Sequence, residues 1–179
     1  MTRIILIFGI AAGLIVTVPM DLLLANAESG SGAHSLFTGY LMIVLALSLV
    51  FFGVKRLRDR ELGGVIRFLP ALLTGLGISV VASAIYVIGW EITLAVTDFA
   101  FVDSYSNAAI EAARAKGASA ADVAAVVAQM DEFRRQYANP LIRMSFTFIE
   151  IFPVGLLISL ISAALLRNSR FLPARAPAA

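Results

Sequence analysis

The sequence predicts an all-α membrane protein with four transmembrane helices and an extracytoplasmic helical hairpin between the third and fourth. Three observations carry that expectation. The 179 residues are 60% hydrophobic and only 15% charged, where a soluble domain carries about 25% charged residues, and the mean hydropathy is +0.90. The apolar residues fall into four blocks, at about 4–25, 36–54, 68–97 and 140–166, and a helix needs about 20 apolar residues to cross a hydrocarbon core. The one sizeable polar stretch, 98–139, separates the last two blocks. The chain 1–179 therefore reads as a single four-span membrane domain with one helical insert.

The first block, Ile4 to Ala25, competes with a signal peptide, because Ala25-Asn26-Ala27 fits a small-x-small cleavage site. A signal h-region has about 7–15 residues, and this block is longer, so it is read as a retained helix. Gly9 and Gly13 give it a G-x-x-x-G face for close helix contact. Asn26 to Ser35 is a polar loop holding His34, the one histidine. The second block, Leu36 to Val54, runs into the basic connection Lys55-Arg56-Leu57-Arg58-Asp59-Arg60-Glu61, with Gly63-Gly64 and Arg67 beyond it. The third, Phe68 to about Thr97, exceeds the roughly 30 Å core at 1.5 Å per residue, so it tilts or emerges. Gly75, Ser79 and Ser83 line one of its faces, and Trp90 suits an interface near its far end.

Within the insert, Ser104 to Lys116 is alanine-rich and helical in propensity. Lys116-Gly117 predicts a helix stop, and Ser119 with Asp122 predicts a capped restart. Val123, Val126, Met130, Phe133 and Tyr137 then follow a 3-4-3-4 spacing, an apolar seam. Such a seam packs on its partner helix or on the ends of the spans; alternatively it serves as a dimer seam or partner surface. Asn139-Pro140 opens the fourth block, since proline suits a first helical turn. Gly155, Ser159 and Ala163 form its small-residue face, and Pro153 marks a kink or hinge.

Orientation follows from the basic residues. Arg3, the 55–67 connection and Arg167, Arg170 and Arg175 fall on one side of four spans, which the positive-inside rule assigns to the cytoplasm. The expectation is a multi-pass protein of a bacterial inner membrane with both termini cytoplasmic. The Lys55, Arg56, Arg58, Arg60 cluster also suits anionic lipid. A net charge of +2 gives no basis for nucleic-acid binding, and the absence of cysteine excludes disulfides and thiol chemistry.

The chain resembles the DUF4199 family of bacterial integral membrane proteins of unknown function. The residues carrying the resemblance are Gly39-Tyr40, Phe52-Gly53-Val54-Lys55 with Arg58-Asp59, Gly63-Gly64-Val65-Ile66, Ile85-Tyr86-Val87-Ile88-Gly89-Trp90-Glu91, Gly117-Ala118-Ser119, Asn139-Pro140-Leu141 and Glu150-Ile151-Phe152-Pro153-Val154-Gly155. The Trp-Glu and Glu-Ile-Phe-Pro-Val-Gly segments are the more specific. The resemblance implies four spans and an extracytoplasmic insert, and no activity or site residue.

An ionisable residue at membrane depth is a functional-site candidate by default. Glu150 lies inside the fourth block, with Thr147 and Arg143 on its face; Glu91 and Asp21 lie toward the same side. These five form the candidate intramembrane polar site. The competing account is that Arg143, Thr147, Tyr86 or Trp90 holds Glu150 and simply fixes helix register. A metal set from Asp21, His34, Glu91 and Glu150 lacks the Glu-x-x-His motifs of di-iron bundles; no catalytic motif is present, and no metal, cofactor or enzyme activity is expected. The function expected is structural or accessory, with the hairpin meeting a membrane-protein partner or a second copy. The alternative is a small proton- or cation-coupled carrier or channel centred on Glu150 and Glu91.

Overall fold

The structure, a computed structural model, describes residues 1–25 and 36–174, with the side chains of 20–25 and 36–38 outside the description. Its elements are α1 (Thr2–Ala25), α2 (Leu36–Arg56), α3 (Phe68–Val96), α4 (Ala100–Ala115), α5 (Ala120–Ala138) and α6 (Pro140–Leu166). Among the described residues there is no strand. Four stretches are long and apolar enough to cross a membrane: Thr2–Pro19, Gly39–Glu61, Phe68–Val96 and Pro140–Leu166. They correspond to the four apolar blocks and point to a membrane protein. Two compact units divide the chain. The first comprises Met1–Gly89 with the chain from Phe148 onward, and the second is Trp90–Thr147.

The first unit is built on close backbone approach. Apolar residues surround these helices, so hydrophobicity does not choose which faces meet; small residues do, by letting backbones come together. The small faces of α3 and α6 meet each other. A Cβ at Gly75 would lie 2.9 Å from Ser159 Cβ, and one at Gly155 would lie 2.7 Å from Ser79 Cβ. Between them the Ser79 and Ser159 hydroxyls are 3.2 Å apart, and each also donates to the carbonyl four residues back. The Gly9 and Gly13 face of α1 meets α3 in the same manner, at Val81 and Ile85. Around these contacts Ala12, Val16, Ile43, Leu47, Val50, Ile78, Ala82, Tyr86 and Ile151 form one buried cluster. A second cluster, at the other end, joins Ile4, Val54, Leu57, Ile66, Ala71, Ala163 and Leu166.

The basic connection after α2 differs from the sequence expectation. It does not leave the helix at Val54: α2 runs to Arg56 and then widens into a π-helical turn, Leu57–Glu61. The physical reason is Arg58. Its side chain is fully buried, with Nη1 2.9 Å from the Phe171 carbonyl, Nη2 on the Leu172 carbonyl, and Nε 2.7 Å from Asp59 Oδ1. Lys55 also binds Asp59. Of the four clustered basic residues, Arg56 and Arg60 are exposed and have no carboxylate partner among the described residues. Arg58 is an internal clamp on the chain that follows α6.

The glycine contacts make a direct prediction. Gly155→Leu forces a side chain into Ser79 Cβ and Oγ, each 2.7 Å from the added Cβ, and overpacking of this kind costs about 1–3 kcal/mol. Thermal unfolding in detergent followed by circular dichroism should show a clearly lowered midpoint, whereas Leu156→Ala on the neighbouring exposed position should change it little.

Candidate functional site

The second unit contains most of the polar chemistry. It begins where α3 ends. Phe99 N donates to the Leu94 carbonyl at 2.9 Å, and Asp98 and Phe99 both take left-handed backbone conformations, φ 49° and 58°. A left-handed residue with a side chain costs roughly 1–2 kcal/mol, so two in succession need compensation. The Phe99 ring supplies part of it, because the Arg143 guanidinium lies over its face, 5.0 Å from the centroid, a cation–π arrangement.

The α4–α5 connection follows the sequence expectation closely. Gly117 takes φ 72°, its N–H bonds the Arg114 carbonyl, and the Ala118 N–H bonds the Ala113 carbonyl. This is the double hydrogen bond of a Schellman stop. Ser119 Oγ then accepts from the Asp122 N–H at 3.2 Å and caps α5. At the far end Asn139 Oδ1 accepts from the Leu141 N–H at 3.0 Å, beside Pro140. One boundary moves: α4 starts at Ala100 rather than near Ser104, since Phe101 and Tyr105 are needed in the hairpin's core.

That core is a closed aromatic circuit. Trp90 meets Phe101 edge-to-face at 4.9 Å, Phe101 stacks on Tyr105 at 5.8 Å, Tyr105 meets Phe133 at 5.4 Å, and Phe133 meets Tyr137 at 4.9 Å. Trp90 Nε1 closes the circuit by donating to the Tyr137 hydroxyl at 2.7 Å. Such ring pairs contribute about 0.5–1.5 kcal/mol each beyond their buried area. The seam residues Val123, Val126, Met130, Phe133 and Tyr137 form the less exposed side of α5, with Met130 and Tyr137 buried. Phe133 and Tyr137 are taken up by this circuit, the packing role the spacing permits. Sequence reasoning missed Phe101 and Tyr105, whose i, i+4 placement beside a helical aromatic seam was the available signal.

Beneath the circuit lies the unit's strongest polar contact. Arg143 Nε and Nη2 bind Glu91 Oε1 and Oε2 at 2.7 and 2.5 Å, and Nη1 reaches the Tyr137 carbonyl at 3.4 Å. The two side chains are only 10% and 18% exposed. A planar guanidinium on a carboxylate is the bidentate geometry that makes such pairs strong. Thr147 is buried and donates to the Arg143 carbonyl at 3.0 Å. Three of the five candidate polar residues, Glu91, Arg143 and Thr147, thus converge. The Glu91–Arg143 pairing was legible in principle: each lies within about two turns of the insert, on helices that the hairpin makes neighbours.

The other candidates fall elsewhere. Glu150 belongs to the first unit, exposed on α6, and its carboxylate is hydrogen-bonded by Tyr86. Asp21 lies in α1 with its side chain outside the description, and His34 lies outside the described residues.

On the hairpin surface Arg134 reaches Asp103 and Asp131 at 3.3 and 3.1 Å, and Arg135 binds Glu132. The Arg135 guanidinium, with help from Gln136, holds the Glu132 carboxyl below its ordinary pKa.

The fold and this site define a helical protein with four long apolar helices and a hairpin insert locked by aromatic packing and one ion pair. The chain belongs to the DUF4199 family, described as "Protein of unknown function (DUF4199)", whose profile matches residues 6–168. No curated protein and no solved structure matches the chain.

Two outcomes follow from this geometry. Removing one partner of a buried ion pair costs about 3–5 kcal/mol because the other charge is left alone. Arg143→Met and Glu91→Gln should each fall near the lower end, given the partial exposure. Trp90 is the one tryptophan, so its emission should shift to the red in both variants, and in Tyr137→Phe it should shift without a comparable loss of stability. The second outcome concerns pH. A carboxyl with a lowered pKa contributes stability above its ordinary range and loses it as pH falls through the lowered value. The Glu132 resonance in an NMR titration should therefore move at lower pH than an ordinary glutamate, and Arg135→Gln should return it to the ordinary range.

Proposed function

We propose that this chain is a non-enzymatic integral membrane protein of structural or accessory type, with the α4–α5 hairpin as its interaction surface. The reading includes four crossings of a bacterial inner membrane, both termini in the cytoplasm and the hairpin on the opposite side. Its partner is a membrane protein or a second copy of the chain. The observation that carries it is how firmly the hairpin is ordered. Its aromatic groups close on one another and on Trp90 of α3, and beside it Arg143 of α6 pairs with Glu91 of α3. A surface that is ordered before it meets a partner binds without the entropy cost of being ordered. Its outer side carries exposed Ala121, Ala124, Ala125 and Ala128 on α5, over which another backbone can pass closely.

A second reading, a proton- or cation-coupled carrier, is favoured by one observation: Glu150 is exposed on α6 beside the exposed apolar residues Phe146, Ile149 and Leu157. Glu91 has Arg143 as its partner, so the carrier reading rests on Glu150.

The absence of cysteine makes the topology simple to test. A single cysteine at Ala118 should react with an impermeant maleimide on intact cells, and one at Arg170 should react only after the membrane is opened; the reverse pattern sinks the proposed orientation. A photo-crosslinking side chain at Ala124 or Ala128 should then capture one defined polypeptide, and Ala125→Glu should abolish the capture without lowering the amount of folded protein. Retained proton flux into proteoliposomes that vanishes in a folded Glu150→Gln protein would instead select the carrier.

A further inference from the structure

The described basic residues of the first unit are gathered at one of its ends. There the start of α1, the π-helical turn, the start of α3 and the end of α6 share one buried cluster of Ile4, Leu57, Ile66 and Leu166, with Phe171 packed against it. An arginine adjoins each of these residues in sequence: Arg3, Arg56, Arg67, Arg167 and Arg170, with Arg60 one turn beyond Leu57. All six are exposed, and among the described residues none pairs with a carboxylate. The two carboxylates of these segments are already engaged, Asp59 by Lys55 and Arg58, and Glu61 by the chain's amino terminus at 2.9 Å. Arg58 fixes the Arg167–Arg170 segment here by binding the Phe171 and Leu172 carbonyls.

We infer that this ring of arginines is a binding site for the phosphate headgroups of anionic phospholipids. Two features identify the ligand. Charge complementarity calls for an anion, and six unpaired guanidinium groups favour phosphate oxygens, which they bind in bidentate fashion. Apolar side chains interleave with the arginines: Leu62 is 45% exposed, Val65 61% and Leu69 60%. A soluble anion has no use for them, whereas a phospholipid places its phosphate on the arginines and its acyl chains on these residues. Arg58 acts as a positioning residue, holding the tail arginines in the ring.

The test uses the full chain reconstituted in phosphatidylcholine vesicles, with spin-labelled phosphatidylglycerol or phosphatidylcholine as probe. Each basic residue near a charged surface changes anionic-lipid association about fivefold at most, and salt weakens the effect by screening. The unmutated chain should hold phosphatidylglycerol at least severalfold more tightly than phosphatidylcholine, and the preference should shrink in 0.5 M salt (about a 4–5 Å screening length). The triple variant R56Q/R60Q/R67Q should lower the ratio severalfold, R56K/R60K/R67K should lower it less because charge is kept and bidentate geometry is lost, and R114Q/K116Q in the hairpin should leave it unchanged. Equal association of the two lipids with the unmutated chain overturns the proposal, as does an equal loss in the hairpin variant. Displacement by inorganic phosphate beyond that by chloride at the same ionic strength overturns it in favour of a soluble anion. The salt series on the unmutated chain decides the matter even if the triple variant fails to fold.

Discussion

The first unit depends on one constraint: long helices that are apolar on every side must still choose partners. Hydrophobicity cannot choose for them, because each side is as apolar as the next. Backbone proximity can. Gly75 against Ser159 and Gly155 against Ser79 bring α3 and α6 within a distance that no larger side chain allows. Each serine hydroxyl there can donate its one proton either to its own helix carbonyl or to the other serine, whose oxygen lies 3.2 Å away. The Gly9 and Gly13 face adds α1 at a different side of α3. The buried aliphatic clusters fill the space these contacts leave, and their composition is ordinary because specificity resides in the small residues.

Polar groups obey a second rule: each charge that is buried is matched. Arg58 has Asp59 and two carbonyls; Arg143 has Glu91, one carbonyl and the face of Phe99. Both arginines hold segments that lie far apart in sequence, Arg58 across 113 residues and Arg143 across 52. A lysine does neither task as well, because one ammonium cannot address two acceptors in a fixed plane. These contacts also account for the two irregular pieces of backbone. The π-helical turn aims Arg58, and the left-handed pair Asp98-Phe99 presents a ring to Arg143.

The helices were legible in the sequence because their signals are local. Apolar block length, Gly117, the Ser119 cap and Asn139-Pro140 mark the boundaries, and most stand within a few residues of expectation. The small-residue faces were legible for the same reason, although which face met which was not. The site was harder because partners are set by depth and by tertiary neighbours. Arg143 read from its own helix points to i+4 and i+7, which suggested Thr147 and Glu150; its bidentate partner, Glu91, sits on a different helix. Spacing groups Lys55, Arg56, Arg58 and Arg60 as one basic cluster, yet Arg58 is buried because the chain 113 residues later supplies carbonyls for it. Sequence spacing contains no trace of that contact.

Glu150 is where these rules leave a demand unmet by the chain itself. Tyr86 supplies a hydrogen bond, but the carboxylate is exposed on a face of α6 whose neighbours include Phe146, Ile149 and Leu157, all exposed and apolar. In a bilayer a charged group in that setting costs about 2.5–3.5 kcal/mol on insertion scales, and one tyrosine hydroxyl, contributing about 1.5–3 kcal/mol to a charged acceptor, offsets much of it. The remainder requires a proton on the carboxylate, water reaching it, or another polypeptide covering it. The carrier reading turns on what meets that carboxylate, whereas the accessory reading turns on what meets the hairpin. That makes the Glu150 face, rather than the already satisfied Glu91–Arg143 pair, the place where the two functions part.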